Sequence, residues 1–390
     1  MKSDRNILID ATKLLLAFTV VFMHLVPNRP ELELIGRPLL TFTVPFFWTI
    51  ALYFFIRKIK KSPELNFRDL NFERLILPYF AWTVIYLLLR LVKYRSHMGD
   101  FEPGSPIEIA FYGGATLHLY FLPFLLLCEA LIISFVLISG TLRQSLIGIL
   151  VFVGVFIFTY IGDFHRFFGF ELAFMKSLLY VAVAYLLYTL QTSNKYVGIN
   201  AAIAGVIFVI LLATAFGEWP DWLFFMRGPL AGYSLGSLVL AWRPQVKPSQ
   251  ALKYLLGYSF GIYLTHLVFM AGFEWSVKRL GLQLTPYSFF TKLPITFLIC
   301  GCCILFIALV RKNPLARLIL LGESTGTRRA AAAEQPVAVQ SSNWRSETSK
   351  LVRPSTCETS NHLTAVVCGQ VSIPRSGVPL ALTSLAASAK

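Results

Sequence analysis

The sequence is poor in charged residues: Asp, Glu, Lys and Arg make up 14% of its 390 residues, whereas 56% are hydrophobic. Soluble domains carry about 25% charged residues, so this chain lacks the polar surface that a soluble enzyme needs. Acidic residues are the scarcer kind, and the formal net charge is +15. The cations cluster in short segments between apolar runs, as the positive-inside rule expects of a membrane protein. We therefore expect no nucleic-acid partner.

Cysteine is scarce as well. The chain has six cysteines, four of them inside apolar runs and two near its end. A cysteine in an apolar run usually acts as a small packing residue. The spacing of the six forms neither a disulfide framework nor a metal-binding motif. We expect no metal site and no permanently bound cofactor.

Long apolar runs, by contrast, recur from end to end. Each has about 17 residues or more, which is enough for a helix to cross roughly 30 Å of hydrocarbon. The runs are continuous, whereas barrel strands would alternate between apolar and polar residues. The sequence therefore predicts an all-α, polytopic integral membrane bundle of about ten transmembrane helices, a protein whose surroundings are the lipid bilayer. The predicted spans are 8–26, 39–57, 74–92, 118–138, 146–162, 173–190, 199–216, 227–242, 254–271 and 291–310.

Basic residues mark one side of this predicted bundle. They concentrate in the loops 57–73 and 243–253 and directly after the last span, and ten spans place both termini on that cytoplasmic side. From residue 322 onward the composition becomes rich in Ser and Thr and low in complexity. We expect a transmembrane domain over 1–321 and a disordered cytoplasmic tail over 322–390, although the tail could equally be an out-of-frame extension.

The first span carries an unusual set of polar side chains. Lys13 and His24 are eleven residues apart, which places them about 20° apart around a helix and roughly 16 Å apart along it. Asp10 lies near the same face. Ionisable residues inside a membrane are candidates for function. The alternative is that Asp10 and Lys13 are interfacial anchors and that His24 caps the helix.

Two other histidines are predicted at a similar depth. His118 begins the fourth span from the outer side, and His266 lies about two-thirds of the way through the ninth, which runs outward. With His24 they would place three imidazoles at one level, so we expect at least two of them to line one cavity. The alternative is that each caps a helix or binds a backbone carbonyl.

Two further candidates lie toward the cytoplasmic side. Glu129 follows His118 by eleven residues, so it shares a helix face but lies deeper, where an ion pair or a neutral hydrogen bond explains it as well as catalysis does. Arg74 lies at the cytoplasmic end of the third span. It is either a solvated anchor or part of a cationic entrance for a phosphorylated donor.

Several segments resemble one family when they are taken in order. The acidic residue, basic residue and His of the first span are followed by VPFFWTIALYFF from Val44, FERLILPYFAW from Phe72, LHLYFLPFLLL from Leu117 and YSFGIYLTH from Tyr258. This order resembles the acyltransferase-3 family, whose members are membrane O-acyltransferases of surface polysaccharide and lipopolysaccharide. Two departures stand out: Ile50 and Ala51 replace a Ser-Gly pair, and Lys13 stands where many members have Arg.

The resemblance implies a function and a set of roles. The protein would move an acyl group, acetyl foremost, from acyl-coenzyme A to a hydroxyl of a cell-surface carbohydrate, in the inner membrane of a bacterium. Acetyl-coenzyme A would be a co-substrate. The catalytic residues would be His24, His118 and His266, with Asp10, Lys13 and Arg74 binding the donor and Glu129 and Tyr263 in support.

A transporter or flippase of a glycan or small anion is the alternative function. Polytopic helices, polar residues in a span and basic loops suit that class too. Two absences favour the acyltransferase. No pair of helices broken by Gly or Pro recurs in corresponding halves, and no phosphate-binding loop of an ATPase is present.

Overall fold

A computed structural model describes residues 6–25, 30–61, 66–95, 115–139, 170–192, 196–215, 221–242, 249–281 and 288–323, and the isolated residues 109, 141, 147 and 148. In these ranges the chain forms α-helices and two short 3-10 turns, Phe67–Asp69 and Leu117–Tyr120. The helices are α1 (Ile7–His24), α2 (Pro30–Ile59), α3 (Phe72–Arg95), α4 (Phe121–Ser139), α5 (Phe170–Thr192), α6 (Val197–Ala213), α7 (Asp221–Ala241), α8 (Gln250–Leu256), α9 (Ser259–Arg279), α10 (Phe289–Val310) and α11 (Pro314–Leu321).

The predicted all-α membrane bundle is confirmed. Nine of the ten predicted spans coincide with these helices. The fifth, 146–162, lies outside the described residues except for 147 and 148, as does the predicted tail beyond residue 323. Within the described part, five helices are long and apolar enough to cross a membrane, or six when the bent pair α8 and α9 counts as one span. The chain is a multi-pass membrane protein, and the full number of ten spans stays a prediction.

The ninth predicted span is interrupted. The sequence predicts one helix over 254–271, whereas α8 ends at Leu256 and α9 starts at Ser259, with a bend of 56° between them. Arg311 stabilises the break, because its Nη2 donates to the carbonyl oxygen of Gly257 at 2.8 Å. The same guanidinium is held by the Glu323 carboxylate at 2.6 Å. Arg311 precedes α11 and Glu323 follows it, both far along the chain from Gly257. A hydropathy pattern of the span therefore misses the bend.

Three clusters of buried apolar residues are present in the described part of the chain, and α1 and α9 contribute to the two larger ones. The largest cluster joins α2, α3, α4 and α5 with parts of α1, α7 and α9. The second joins α1 and α9 with α10 and α11. The helices α1 and α9 therefore lie between two packed regions, which fixes the positions of the polar side chains on their facing surfaces.

A row of glycines allows α7 to approach α2 closely. Gly228, Gly232 and Gly236 are spaced by four residues, so they share one face of α7. Small residues at this spacing bring membrane helices into backbone contact. At Gly232 an added Cβ would meet the Thr49 hydroxyl and lie 2.7 Å from the carbonyl oxygen of Pro45.

Replacing Gly232 with alanine is expected to destabilise the bundle by about 1–3 kcal/mol, the usual effect of overpacking. Thermal unfolding of the purified protein in detergent measures the change. The matched control is Gly205→Ala on α6, where an added Cβ meets nothing within 4 Å. A Gly232→Ala protein as stable as the control would contradict close packing of α7 on α2.

Candidate functional site

Three histidines from three elements meet in the bundle. His24 ends α1, His118 lies in the turn before α4, and His266 lies in the second turn of α9. The ring centroids of His24 and His266 are 5.3 Å apart, and those of His118 and His266 are 5.2 Å apart. The side chains that we predicted at one depth therefore form one cluster, which we call the histidine cluster.

The three members differ in burial. His266 is fully buried and His118 is 6% exposed, whereas His24 is exposed. His24 is therefore the most accessible ring of the three, and the ring of His266 lies next to it. Among the described residues, no group of three or more His, Cys, Asp or Glu is arranged to hold a metal ion.

Hydrogen bonds fix the tautomer of His266. Its Nδ1 lies 2.8 Å from the carbonyl oxygen of Tyr263 and 3.2 Å from that of Ile262. Because a carbonyl oxygen only accepts, Nδ1 carries the proton and Nε2 presents a lone pair. That Nε2 is buried and has no hydrogen-bond partner in the described part of the chain. It is thus an oriented acceptor on a ring that lies between His24 and His118.

Polar neighbours hold His118 in place. Its Nδ1 is 2.6 Å from the hydroxyl of Thr116, and its backbone carbonyl accepts from the Tyr263 hydroxyl. The Tyr86 hydroxyl of α3 donates to the carbonyl oxygen of Leu264 at 2.7 Å, and its ring meets His118 edge-on at 5.2 Å. These bonds join α3, α9 and the turn before α4, so the cluster is held rigidly. The sequence singled out Tyr263 but missed Tyr86 and Thr116.

Lys292 is the functional candidate that the sequence analysis missed. It lies in the first turn of α10 and is fully buried. Its Nζ lies 4.6 Å from the ring centroid of Phe22, two residues before His24, and the side chain is close enough to His24 for their charges to interact. A buried cation within a membrane protein is costly and marks a candidate site. One sequence feature could have identified Lys292: it is a lysine inside the predicted last span, two residues before Pro294.

The predicted donor-binding residues lie away from the histidine cluster. Asp10 and Lys13 are half-buried near the start of α1, and the Lys13 Nζ lies 5.3 Å from the ring centroid of Phe54. Eleven residues of helix separate Lys13 from His24 by about 16 Å. Arg74 is exposed in the first turn of α3. The polar residues of α1 thus form two separate groups, one at each end of the helix.

Glu129 also lies apart from the cluster. Its carboxylate accepts from the backbone N–H of Asn71 at 3.1 Å and from the Asn71 side-chain amide at 2.8 Å. Asn71 directly precedes α3, so Glu129 satisfies a backbone donor at the start of that helix. Eleven residues, or about 16 Å, separate Glu129 from His118. These contacts favour the structural alternative for Glu129 over a catalytic one.

Replacing Glu129 with alanine is expected to destabilise the protein by about 1–3 kcal/mol, because the half-buried donors of Asn71 lose their partner. Transfer per folded molecule should stay near the wild-type level. Glu129→Gln keeps an acceptor for Asn71 and serves as the control. Thermal unfolding together with an activity assay on the folded fraction separates the two effects. Loss of activity in a fully folded Glu129→Ala protein would instead place Glu129 in the chemistry.

Comparison with known proteins adds the family. The model of the acyltransferase-3 family, described as an acyltransferase domain, matches residues 6–310. No curated protein and no solved structure matches the chain significantly. The match includes all three members of the histidine cluster as well as Lys292, and it covers most of the chain. The protein therefore belongs to the acyltransferase-3 family and is a membrane acyltransferase.

Proposed function

We propose that the protein transfers an acyl group, acetyl foremost, from acyl-coenzyme A to a hydroxyl of a cell-surface carbohydrate, and that it does so in the bacterial inner membrane with both termini cytoplasmic. One observation carries the proposal: an exposed imidazole, His24, lies against the oriented and buried imidazole of His266, with centroids 5.3 Å apart. Acyl transfer to a hydroxyl needs a base with a pKa near neutrality, and histidine is the usual one.

In this proposal His24 acts as the general base. The hydroxyl of the acceptor gives its proton to His24 while its oxygen forms a bond to the acyl carbon. The bond between that carbon and sulfur then breaks, and the departing thiolate takes the proton from His24 to leave as free coenzyme A. Attack by His24 on the thioester itself, with transient acylation of the imidazole, is the other route open to this residue.

The buried members of the site support His24. The Nε2 lone pair of His266 can accept a hydrogen bond from the His24 ring, which orients that ring and stabilises its protonated form. His118, held by Thr116 and Tyr263, orients the acceptor. Lys292 supplies positive charge beside His24, where the tetrahedral oxyanion develops.

The donor lies along α1 in this proposal. Its phosphate groups bind at the end that carries Asp10, Lys13 and, on α3, Arg74. Lysine serves there as a point charge for phosphate. The pantetheine arm is of about the length that separates Lys13 from His24, roughly 16 Å, so it can carry the thioester to the histidine cluster.

The experiment is transfer from radiolabelled acetyl-coenzyme A in membranes that contain the protein, beside membranes that lack it. We expect label to move to carbohydrate only when the protein is present. If folded protein moves no label from any acyl-coenzyme A, the proposal is wrong, and transport of a glycan or small anion becomes the better hypothesis.

A further inference from the structure

An exposed aromatic ring lies at the end of the bundle away from the histidine cluster. It belongs to Tyr254 on α8, which is 58% exposed. The helix α9 packs along α1, and its His266 meets His24 at the end of α1. The preceding helix, α8, also packs on α1 and therefore lies toward its start. Tyr254 is thus at the same end of the bundle as Asp10 and Lys13.

Neighbouring side chains fix the orientation of this ring. The centroid of Tyr254 lies 5.2 Å from that of the buried Tyr258, with the two rings nearly perpendicular. The guanidinium carbon of Arg311 lies 4.4 Å from the Tyr258 centroid and 5.9 Å from the Tyr254 centroid. Arg311 is held in turn by the carbonyl of Gly257 and the carboxylate of Glu323. The exposed ring is therefore a flat apolar surface held in one orientation.

Two exposed cations belong to the same region as this ring. Lys253 directly precedes the tyrosine on α8. Arg74 is connected to Arg311 through the end of α11. Gly322 packs on the backbone of Arg74, where an added Cβ would lie 2.8 Å from the Arg74 Cα, and the next residue, Glu323, binds Arg311. An aromatic face with cations nearby suits a nucleotide, whose base stacks on the ring while its phosphates meet the positive charge.

We propose that Tyr254 stacks on the adenine ring of the acyl-coenzyme A donor and that Lys253 and Arg74 bind its phosphates. The inference rests on the proposed function and assigns a binding site to the nucleotide part of that donor. The acyl group and the pantetheine arm carry no aromatic base, so stacking on Tyr254 distinguishes coenzyme A from a shorter thioester.

The position of Tyr254 also suits the length of the donor. Tyr258 precedes His266 by eight residues, which is about 12 Å along α9. The ring of Tyr254 lies 5.2 Å from that of Tyr258. The pantetheine arm has about the length that separates Lys13 from His24, roughly 16 Å. It can therefore extend from an adenine ring at Tyr254 to the level of His24, which lies next to His266.

The experiment compares acetyl-coenzyme A with acetyl-phosphopantetheine, a donor that keeps the thioester and the arm but lacks the nucleotide. Tyr254→Ala should raise the KM for acetyl-coenzyme A by about 5–150-fold, the usual effect of removing one base-stacking ring. Its kcat, and its KM for acetyl-phosphopantetheine, should stay near the wild-type values. Tyr254→Phe keeps an aromatic face and should retain most of the affinity for acetyl-coenzyme A.

Tyr196→Ala is the matched control, because Tyr196 is also an exposed tyrosine, at 45%, but directly precedes α6, which packs on α7. It should keep both KM values. The adenine site is wrong if folded Tyr254→Ala keeps the wild-type KM for acetyl-coenzyme A. It is also wrong if the KM rises equally for both donors, as expected when the tyrosine only anchors the helix at the membrane boundary. In either case transfer by the wild type leaves the proposed function standing. If folded wild-type protein transfers no acyl group from either donor, both fail.

Discussion

Replacing His24 with alanine is expected to abolish acyl transfer while leaving the amount of folded protein unchanged. His24 is exposed at the end of α1, so its removal leaves no large cavity. Loss of a general base typically lowers turnover by about 10²–10⁴-fold. The measurement is transfer from radiolabelled acetyl-coenzyme A in membranes, normalised to folded protein by gel filtration in detergent.

Two controls make this test specific. Leu15→Ala changes an exposed residue of the same helix and should retain transfer. Added imidazole should restore part of the turnover of His24→Ala, because the site is open to small molecules at this residue, and a purely structural defect would not respond. Wild-type turnover in folded His24→Ala would remove this residue from the catalytic role.

The local sequence pattern of α1 was sufficient to place its polar side chains around the helix. Helical periodicity alone placed Asp10, Lys13 and His24 on one face, because all three belong to one continuous helix. The meeting of His24 with His118 and His266 needed one further step, namely the alternating direction of successive spans. Both steps depend on helix geometry. The rise and rotation per residue are nearly the same in every α-helix, so they can be used to predict positions from sequence spacing.

Contacts between distant parts of the chain were not predictable in this way. The sequence leaves Glu129 open to a catalytic or a structural role, whereas the fold places Asn71, 58 positions earlier, against its carboxylate. The bend between α8 and α9 depends on Arg311, which bonds the carbonyl of Gly257 from 54 positions away. A hydropathy pattern indicates whether a segment is buried or exposed. It contains no information about which distant residue contacts that segment.

The position of Lys292 beside the histidine cluster was likewise not predictable from the local sequence. Near the edge of an apolar run, a lysine most often extends its ammonium group to the membrane surface. The fold instead buries it completely, with Nζ over the ring of Phe22, a residue from the other end of the chain. Its nearness to His24 follows from the packing of α10 on α1, which no local feature of either sequence segment indicates.

Replacing Lys292 with methionine is therefore expected to lower transfer by about 10²–10³-fold, the usual effect of removing one oxyanion-stabilising group. Methionine keeps an unbranched apolar chain of similar length. Turnover is measured per folded molecule, with the unfolding temperature recorded beside it, so that lost turnover reports the chemistry and not the fold.

The charge requirement is tested by comparing Lys292→Arg with Lys292→Met. Arginine keeps the positive charge beside His24 and should retain more turnover than methionine, even though its planar group fits the space of an ammonium less well. Lys312→Met removes an exposed lysine just after α10 and should leave kcat unchanged. If Lys292→Met is folded and turns over like the wild type, the charge of Lys292 does not stabilise the transition state. If Lys292→Arg and Lys292→Met lose turnover equally while both stay folded, the lysine acts through its shape, and the electrostatic role proposed for it is wrong.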